Sequence, residues 1–253
     1  MAKVREEAAI VSHKILAPTL RELVLKAPEI AAMALPGQFV HVAVGAAHIL
    51  RRPISIADAD AKQGTITLIY KLAGQGTIAL ADKKMGEVLD LIGPLGNSFA
   101  VQGEKILLVG GGIGTAPLIY LAKSLCPKPM TVVMGGRTAE EMIWPDYFKS
   151  VCQDIQITTD DGTCGTKGLC IDLLPEILTK GYDMIYTCGP KIMMEAVAKA
   201  AQEAGVLCQV SLEEYMACGV GACLSCTCAA KGEKRVKVCT DGPVFFSSEV
   251  MSL

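Results

Sequence analysis

Short apolar runs separated by turn signals fill the first hundred residues of the chain. Pro36-Gly37 and the segment 93–97, which holds two glycines and a proline, are among the breaks between these runs. Strands that follow one another this closely are typical of an antiparallel barrel or sandwich. The runs cover residues 8–11, 20–25, 38–44, 65–70 and 88–92. The pattern therefore predicts a β-barrel domain over residues 1–100, with one short helix at 78–84.

Near residue 101 the pattern changes, because apolar strands begin to alternate with helical stretches. Such alternation predicts a parallel sheet with helices on both faces, here over residues 101–210. The predicted strands cover residues 105–110, 130–134, 155–159, 184–188 and 207–210, and the predicted helices cover residues 117–124, 138–149, 169–179 and 191–204. Residues 211–253 form a third unit, which contains a cysteine cluster and a charged, hairpin-like stretch at 231–237.

The composition excludes several classes of protein. Of the 253 residues, 51% are hydrophobic and 20% are charged, which provides for a large core and excludes disorder. The net charge of −2 offers no broad basic field for nucleic acid. Glycine and proline interrupt the two long uncharged stretches, 30–50 and 106–122, so neither is expected to span a membrane. Because the first residues also lack an apolar signal core, we expect a cytoplasmic protein.

Three cysteines in the third unit have the spacing of a [2Fe–2S] site. Cys218, Cys223 and Cys226 follow the C-x4-C-x2-C pattern, in which a tight loop supplies three thiolates and a distant residue supplies the fourth. Cys239 is the preferred fourth ligand, and Cys228 is its rival. Structural zinc is the competing interpretation, although zinc sites usually show paired C-x2–4-C knuckles.

A glycine-rich segment between a predicted strand and a predicted helix is a candidate nucleotide site. Residues 110–117 read Gly-Gly-Gly-Ile-Gly-Thr-Ala-Pro, and glycines at such a position let a phosphate approach the backbone. The register differs from G-x-G-x-x-G, so a tight structural turn is the alternative. Cys188, Gly189 and Pro190 follow another predicted strand, at the same carboxyl edge of the sheet, where ligands bind in open α/β folds.

An Arg-Pro motif in the barrel region is a candidate anion site. Residues 51–55 read Arg-Arg-Pro-Ile-Ser, and Arg52 would suit an anionic pyrophosphate. Tyr70-Lys71 could supply a ring, and Gly76-Thr77 a second phosphate contact. The alternative is an edge strand with solvated arginines.

The histidines show no ligand spacing and are expected to have ordinary surface or core roles; they are His13, His41 and His48.

Together these motifs resemble those of the ferredoxin–NADP reductase family, over nearly the whole chain. The resemblance implies an N-terminal antiparallel flavin-binding barrel, a parallel-sheet nicotinamide domain and a small C-terminal iron–sulfur module. It also implies that cofactors perform the electron chemistry and that no side chain is catalytic. By this resemblance FAD would be held by Arg52, Pro53, Ile54, Ser55, Ile69, Tyr70, Lys71, Gly76 and Thr77, NAD by Gly111, Gly112, Gly114, Thr115, Cys188, Gly189 and Pro190, and a [2Fe–2S] cluster by Cys218, Cys223, Cys226 and Cys239.

Within the family, the C-terminal segment most resembles electron-transfer subunits that serve NAD-dependent dihydroorotate oxidation. This resemblance implies an FMN-containing dihydroorotate dehydrogenase catalytic subunit as partner, two copies of each chain, and a place in pyrimidine biosynthesis. The first alternative is a reductase subunit of the sulfide dehydrogenase, hydrogenase or transhydrogenase type. The second, from another class, is a non-catalytic nucleotide- and zinc-binding regulator. The preference for NAD over NADP also rests on this resemblance. From the sequence alone, Arg137 could instead bind the 2′-phosphate of NADP.

Overall fold

The computed structural model describes residues 3–152 and 154–250. The strands in chain order are β1 (Val4–Ala17), β2 (Leu20–Lys26), β3 (Phe39–Val42), β4 (Arg52–Asp60), β5 (Thr65–Lys71), β6 (Val88–Leu95), β7 (Ile106–Gly111), β8 (Met130–Gly136), β9 (Asp154–Thr159), β10 (Thr166–Lys167), β11 (Met184–Cys188), β12 (Leu207–Ser211), β13 (Thr227–Ala229), β14 (Arg235–Lys237) and β15 (Val244–Phe246). The helices are α1 (Pro28–Met33), α2 (Gln75–Ala81), α3 (Ala116–Leu125), α4 (Pro145–Phe148), α5 (Leu174–Leu178), α6 (Lys191–Glu203) and α7 (Ser247–Val250).

The first six strands close into an antiparallel barrel in the order β1-β2-β5-β4-β3-β6. The long strand β1 completes the circle, since it pairs with β2 and with β6. Side chains alternate between the interior and the outside of the wall with the period of two that a strand imposes. Along β5, for example, Ile66, Leu68 and Tyr70 belong to the buried interior. The alternation therefore decides which predicted site residues can face a ligand outside the barrel.

The second sheet has the order β10-β9-β8-β7-β11-β12-β15. Strands β7 to β12 pair in parallel, whereas β15 joins β12 antiparallel. The helices α3 and α6 follow β7 and β11, so the turns that begin these two helices meet at one edge of the sheet. This edge carries both of the predicted nicotinamide motifs.

The sequence pattern predicts most elements, and the exceptions have local causes. The strand at Met184–Cys188 and the helix at Lys191–Glu203 are confirmed. The helix predicted at 138–149 is wrong: a 3-10 turn at Ala139–Glu141 and the short α4 replace it, because Pro145 fits only a helix start. The helix predicted at 169–179 likewise begins as a 3-10 turn and is shorter. Helix α1 and strand β15 were not predicted from the pattern.

The third unit, which contains the cysteine cluster, shares its apolar core with the barrel and with the second sheet and its helices. Two of its cysteines, Cys226 and Cys239, are 2% and 0% exposed. They pack in one apolar cluster with Phe39 of the barrel and with Val197 on helix α6. A cysteine loop that buries its sulfurs in this cluster is fixed relative to both larger units.

Asn97, in the connection between barrel and sheet, holds the returning C-terminal segment. Its side-chain nitrogen donates to the carbonyl oxygens of Val244 at 2.7 Å and Asp241 at 3.1 Å. Its side-chain oxygen accepts from the backbone N–H of Val244 at 2.9 Å. The backbone N–H of Asn97 also donates to the carbonyl of Gly242 at 2.7 Å. One side chain therefore satisfies both backbone groups of Val244 in β15, the strand that extends the sheet, and the carbonyl of Asp241 before this strand.

The fold class is as predicted, with a closed antiparallel barrel, a parallel-sheet second unit and a C-terminal cysteine segment. The domain boundaries after residues 100 and 210 stay a prediction. Residues 1–2 and 251–253, at the two ends of the predicted domains, lie outside the described residues. Of the helices in the described ranges, none combines the length and the hydropathy of a membrane-spanning segment.

We predict that Asn97→Ala lowers the free energy of unfolding by about 1–3 kcal/mol, because partly buried backbone groups lose their partners. Urea titration measures this change, and hydrogen exchange of the amides of β15 should rise with it. Ser98→Ala at the next position is the matched control. Equal stability of Asn97→Ala and the unmodified protein would contradict this role of Asn97.

Candidate functional site

The two predicted nicotinamide motifs are in direct contact at the edge of the sheet. A Cβ atom on Gly114 would lie 2.5 Å from the backbone of Gly189, and one on Gly111 would lie 2.5 Å from Met193 Sδ. Only glycine permits this backbone-on-backbone approach. The structure therefore brings residues 111–115 and 188–190 together into one loop pair, as expected for a nucleotide site at the carboxyl edge of the strands.

Buried hydroxyl groups at this edge lack partners within the described part of the chain. They are the Oγ1 atoms of Thr115, Thr158 and Thr187. A buried polar group without a hydrogen bond is costly, so such groups mark a place where a polar ligand fits. Burial raises the pKa of the neighbouring Cys188 to about 12, so this thiol is neutral and can pack against a ligand ring. These features fit a bound dinucleotide.

Arg52 and Gly76, which are both predicted to hold FAD, are also in contact. The guanidinium group of Arg52 crosses directly over Gly76, where any Cβ atom would overlap it. The same group donates to the carbonyl of Leu50 at 2.5 Å, which fixes its direction. Next to it, the Thr77 hydroxyl accepts from the backbone N–H of Ala73 at 2.9 Å and shapes the turn before α2. A fixed cation beside an ordered turn fits a pyrophosphate.

The remaining FAD candidates divide between the two faces of the barrel wall. Pro53 and Ser55 stand opposite His41 and Phe39 of β3, on the outward face. Ile54, by contrast, is 6% exposed and belongs to the barrel interior.

On β5, Ile69 packs outward against the second sheet and Lys71 forms an ion pair of 3.6 Å with Glu141. The expectation that the ring of Tyr70 meets the flavin is not supported. This ring is 3% exposed inside the barrel, and its hydroxyl bonds His13 Nε2 at 2.9 Å. At Tyr70 and Ile54, only backbone atoms remain for a flavin contact.

The cysteine loop is shaped around Cys218. Backbone N–H groups of Val220, Ala222 and Cys223 point at Cys218 Sγ, at 3.3–3.4 Å. Such a set of donors suits a sulfur ligand of an iron–sulfur cluster, which accepts hydrogen bonds. Gly219 and Gly221, with φ of +68° and +85°, make the tight turn possible.

The four predicted ligands form two pairs. Cys218 Sγ accepts a hydrogen bond from the backbone N–H of Cys223, and the thiols of Cys226 and Cys239 are neighbours. A hydrogen bond between the Cys223 thiol and the Ser225 hydroxyl lowers the pKa of Cys223 to about 6, whereas burial, followed by contact with Cys226, raises that of Cys239 to about 11. Within residues 3–152 and 154–250, no three His, Cys, Asp or Glu side chains meet as ligands of a single metal ion. Two pairs of thiols instead fit two irons that take two thiolates each.

Cys239 is better placed than Cys228 as the fourth ligand. The Cys239 thiol neighbours Cys226, and Cys218 also acts on it electrostatically. Cys228 lies on β13 opposite Val236 and packs half-buried against the apolar core. The geometry supports the choice of Cys239, which stays a proposal.

The spacing of the histidines predicts no ligand role for His41, yet the structure places it beside the cysteine loop. Its ring lies against Gly219, so that a Cβ atom there would be 2.7 Å from the ring carbon Cε1. The residue is fully buried, and neither ring nitrogen has a partner among the described residues. Burial and, next, Arg51 lower the pKa of His41 to about 4. A polar residue in the otherwise apolar strand Phe39–Val42 is the signal that could have found it.

A barrel of this kind, joined to a nucleotide-type sheet and a four-cysteine loop, defines a flavin- and iron–sulfur-dependent reductase. The family model for the iron-sulfur cluster binding domain of dihydroorotate dehydrogenase B matches residues 213–251. The dihydroorotate dehydrogenase B (NAD(+)) electron transfer subunit of Bacillus caldolyticus is 41% identical over 257 aligned positions, which cover 98% of each chain. The chain belongs to the family of dihydroorotate dehydrogenase B (NAD(+)) electron transfer subunits.

Solved structures agree with this assignment. The structure of an NADH-dependent reduced ferredoxin–NADP oxidoreductase, described for flavin-based electron bifurcation, matches with a TM-score of 0.88 and 33% identity, over 96% of this chain and 89% of that chain. The ferredoxin reductase of carbazole 1,9a-dioxygenase matches with a TM-score of 0.71 and 25% identity, over 81% of this chain and 67% of that chain. The resemblance to the ferredoxin–NADP reductase family is thereby confirmed.

We predict that Gly76→Ala weakens FAD binding by roughly one to two decades, because the new methyl group would displace Arg52 from its proposed charge-assisted contact with the pyrophosphate. The FAD dissociation constant, measured by flavin fluorescence, reports this change. Gly74→Ala is the matched control, since its backbone is extended and nothing lies within 4 Å of a Cβ there.

Arg52→Ala should have an effect of the same size, and the double variant Arg52→Ala/Gly76→Ala should lose no more than either single variant. Additive losses would show that the two residues act separately, against this interpretation.

We predict that Cys239→Ala abolishes the cluster, whereas Cys228→Ala retains about two irons and two acid-labile sulfides per chain. Chemical analysis of anaerobically purified protein, together with its visible spectrum, measures both. Cys126→Ala, at an exposed cysteine outside the loop, is the control. A normal cluster in Cys239→Ala with loss in Cys228→Ala would reverse the assignment of the fourth ligand.

Proposed function

We propose that this chain carries electrons between the FMN of a dihydroorotate dehydrogenase catalytic subunit and NAD, through its own [2Fe–2S] cluster and FAD. The observation that carries the proposal is the order of the three candidate sites. The flavin strands β4 and β5 lie between the nicotinamide loops and the cysteine loop. Lys71 of β5 lines one small cavity together with Gly112 of the nicotinamide loops and Glu141, and His41, opposite Pro53 of β4, packs on Gly219 of the cysteine loop. The middle position suits the group that must exchange electrons with both others.

The proposed roles of the residues follow from their contacts. Arg52 holds the flavin pyrophosphate, and the outward face of β4 and β5 supports its ring. The loop pair of Gly114 and Gly189 accepts the dinucleotide with its backbone close to the ligand. Bound FAD supplies the exchange between hydride transfer and single-electron transfer. The four thiolates hold the cluster at the end of this path.

The catalytic subunit, with which the cluster would exchange electrons, should contact the rim of the cysteine loop. Tyr215, Val220 and Leu224 are 92%, 44% and 60% exposed there. Large apolar side chains that cluster at a redox centre are typical of an interface. This rim supports docking of the catalytic subunit, and we infer two copies of each chain from the resemblance to the family.

The choice of NAD is supported by the pairing of Arg137. Its guanidinium group donates to the Glu141 carboxylate at 2.6 Å, and the same carboxylate accepts from the backbone N–H of Arg137. An arginine engaged by a carboxylate is poorly suited to a 2′-phosphate, which the negative charge of Glu141 would repel. The name of the Bacillus caldolyticus relative likewise specifies NAD(+).

The alternatives have less support. Relatives at 41% identity over the full chain favour this subunit over a sulfide dehydrogenase or hydrogenase component. The match of residues 213–251 to an iron–sulfur domain disfavours the zinc-binding regulator. All eleven cysteines are free, so a reducing compartment fits the chain, and we propose that it works in the cytoplasm.

Reconstitution with the catalytic subunit tests the function. Alone, the cofactor-loaded chain should oxidise NADH with an artificial dye but leave dihydroorotate unchanged. Mixed with the catalytic subunit, it should couple dihydroorotate oxidation to NAD⁺ reduction. Loss of the cluster in Cys226→Ala should stop this coupling and spare the reaction of the partner with a dye. NAD⁺ reduction that survives complete loss of the cluster would refute the proposed path.

A further inference from the structure

His41 is a buried histidine whose two ring nitrogens make no hydrogen bond within the described residues. This is unusual, because a buried N–H group without a hydrogen-bond partner is destabilising. The histidine elsewhere in the barrel wall behaves differently: His13 bonds Tyr70 at 2.9 Å and the carbonyl of Lys83 at 2.8 Å. The contrast indicates that the partner of His41 is a group other than the protein.

The ring of His41 is directed at the cysteine loop. Its atoms Cε1, Nδ1 and Nε2 all lie within 2.7–2.9 Å of where a Cβ of Gly219 would stand. Gly219 is buried, has φ of +68° and follows Cys218 directly. The absence of a side chain at this position lets the imidazole reach the loop backbone, and no other residue type would leave that space.

The same ring also neighbours the flavin strand. His41 stands directly opposite Pro53 in the β3–β4 pair, and paired residues share one face of a sheet. Phe39, two residues earlier on that face, has its ring centroid 5.9 Å from that of His41. His41 thus lies between the strand proposed for FAD and the loop proposed for the cluster.

A neutral imidazole carries one N–H donor and one acceptor nitrogen. Sulfur atoms of a [2Fe–2S] cluster and its thiolates accept hydrogen bonds, and such bonds set the reduction potential. A donor stabilises the reduced cluster most, since that state carries the additional negative charge. Backbone donors already surround Cys218, so a side-chain donor from the barrel would complete the set on the side that faces FAD.

We propose that His41 is a positioning residue which donates a hydrogen bond from its ring to a sulfur of the cluster, ties the cysteine loop to the flavin strand and raises the potential of the cluster. This inference rests on the proposed function, because it requires that the four cysteines hold a [2Fe–2S] cluster. It assigns to one side chain of the barrel a role in a site that the C-terminal segment otherwise builds.

Three variants at this position test the donor. His41→Phe keeps a planar ring without a donor, His41→Asn keeps a donor near the place of Nδ1, and His41→Gln keeps one near Nε2. His48→Gln, in the loop before β4, is the matched histidine control. The potential is measured by redox titration of the cofactor-loaded protein, followed by the electron paramagnetic resonance of the reduced cluster.

We expect His41→Phe to lower the equilibrium constant for cluster reduction about tenfold, which corresponds to about 59 mV for a one-electron couple. Either His41→Asn or His41→Gln should restore most of the loss and so identify the donating nitrogen. An unchanged potential in His41→Phe, or the same shift in all three variants, would overturn the proposal.

A second readout does not depend on the potential or on the stability of the Phe variant. With histidine labelled by ¹⁵N, pulsed electron paramagnetic resonance should detect a nitrogen coupled to the reduced cluster in the unmodified protein and in His48→Gln. The coupling should be lost in His41→Asn and His41→Gln. A reduced cluster without this coupling would refute the role of His41 alone, whereas an unmodified protein that binds no cluster would refute the proposed function.

Discussion

The return of the C-terminal segment to the junction of barrel and sheet is the contact on which the rest of the site depends. β15 adds to β12 as an antiparallel edge, and Asn97 bonds its backbone from the connection between the two larger units. Because of this anchor, Cys226 and Cys239 lie in the same apolar cluster as Phe39. Without it, the cysteine loop would be a separate module at the end of a flexible chain, and its distance from the barrel would vary.

Close approach of backbone and side chain recurs at each candidate site. Gly114 admits the backbone of Gly189, Gly76 admits the guanidinium group of Arg52, and Gly219 admits the ring of His41. In each case the group that approaches comes from another part of the chain. The glycines therefore let separate elements approach to contact distance. Electron transfer between cofactors requires such close approach, whereas stability alone does not.

The sequence predicts what local pattern and short motifs determine. Helix α6 has a clear period and a glycine after its end, and the C-x4-C-x2-C spacing indicates three candidate ligands without a structure. Strand β15 could not be predicted, because three residues form it only by pairing with β12.

The sequence motif also could not predict which side chains of β4 and β5 point into the barrel and which point outward. Tyr70 matches the family pattern, yet the register of β5 turns its ring into the barrel. His41 was missed for a related reason: its role depends on a contact with Gly219, which is remote in sequence, and nothing in the spacing of the histidines indicates it.

Burial divides the cysteine loop into two halves with different tasks. Cys226 and Cys239 are enclosed by the core that the loop shares with the barrel, whereas Cys223 is exposed beside Leu224. A cluster held by both pairs would have one iron directed inward and one near the surface. The inner side is insulated from water by apolar packing, but the outer side is insulated only when another protein covers it. The same asymmetry that gives electrons an exit therefore makes a partner necessary, and it places that partner on the side of the loop opposite Cys226 and Cys239.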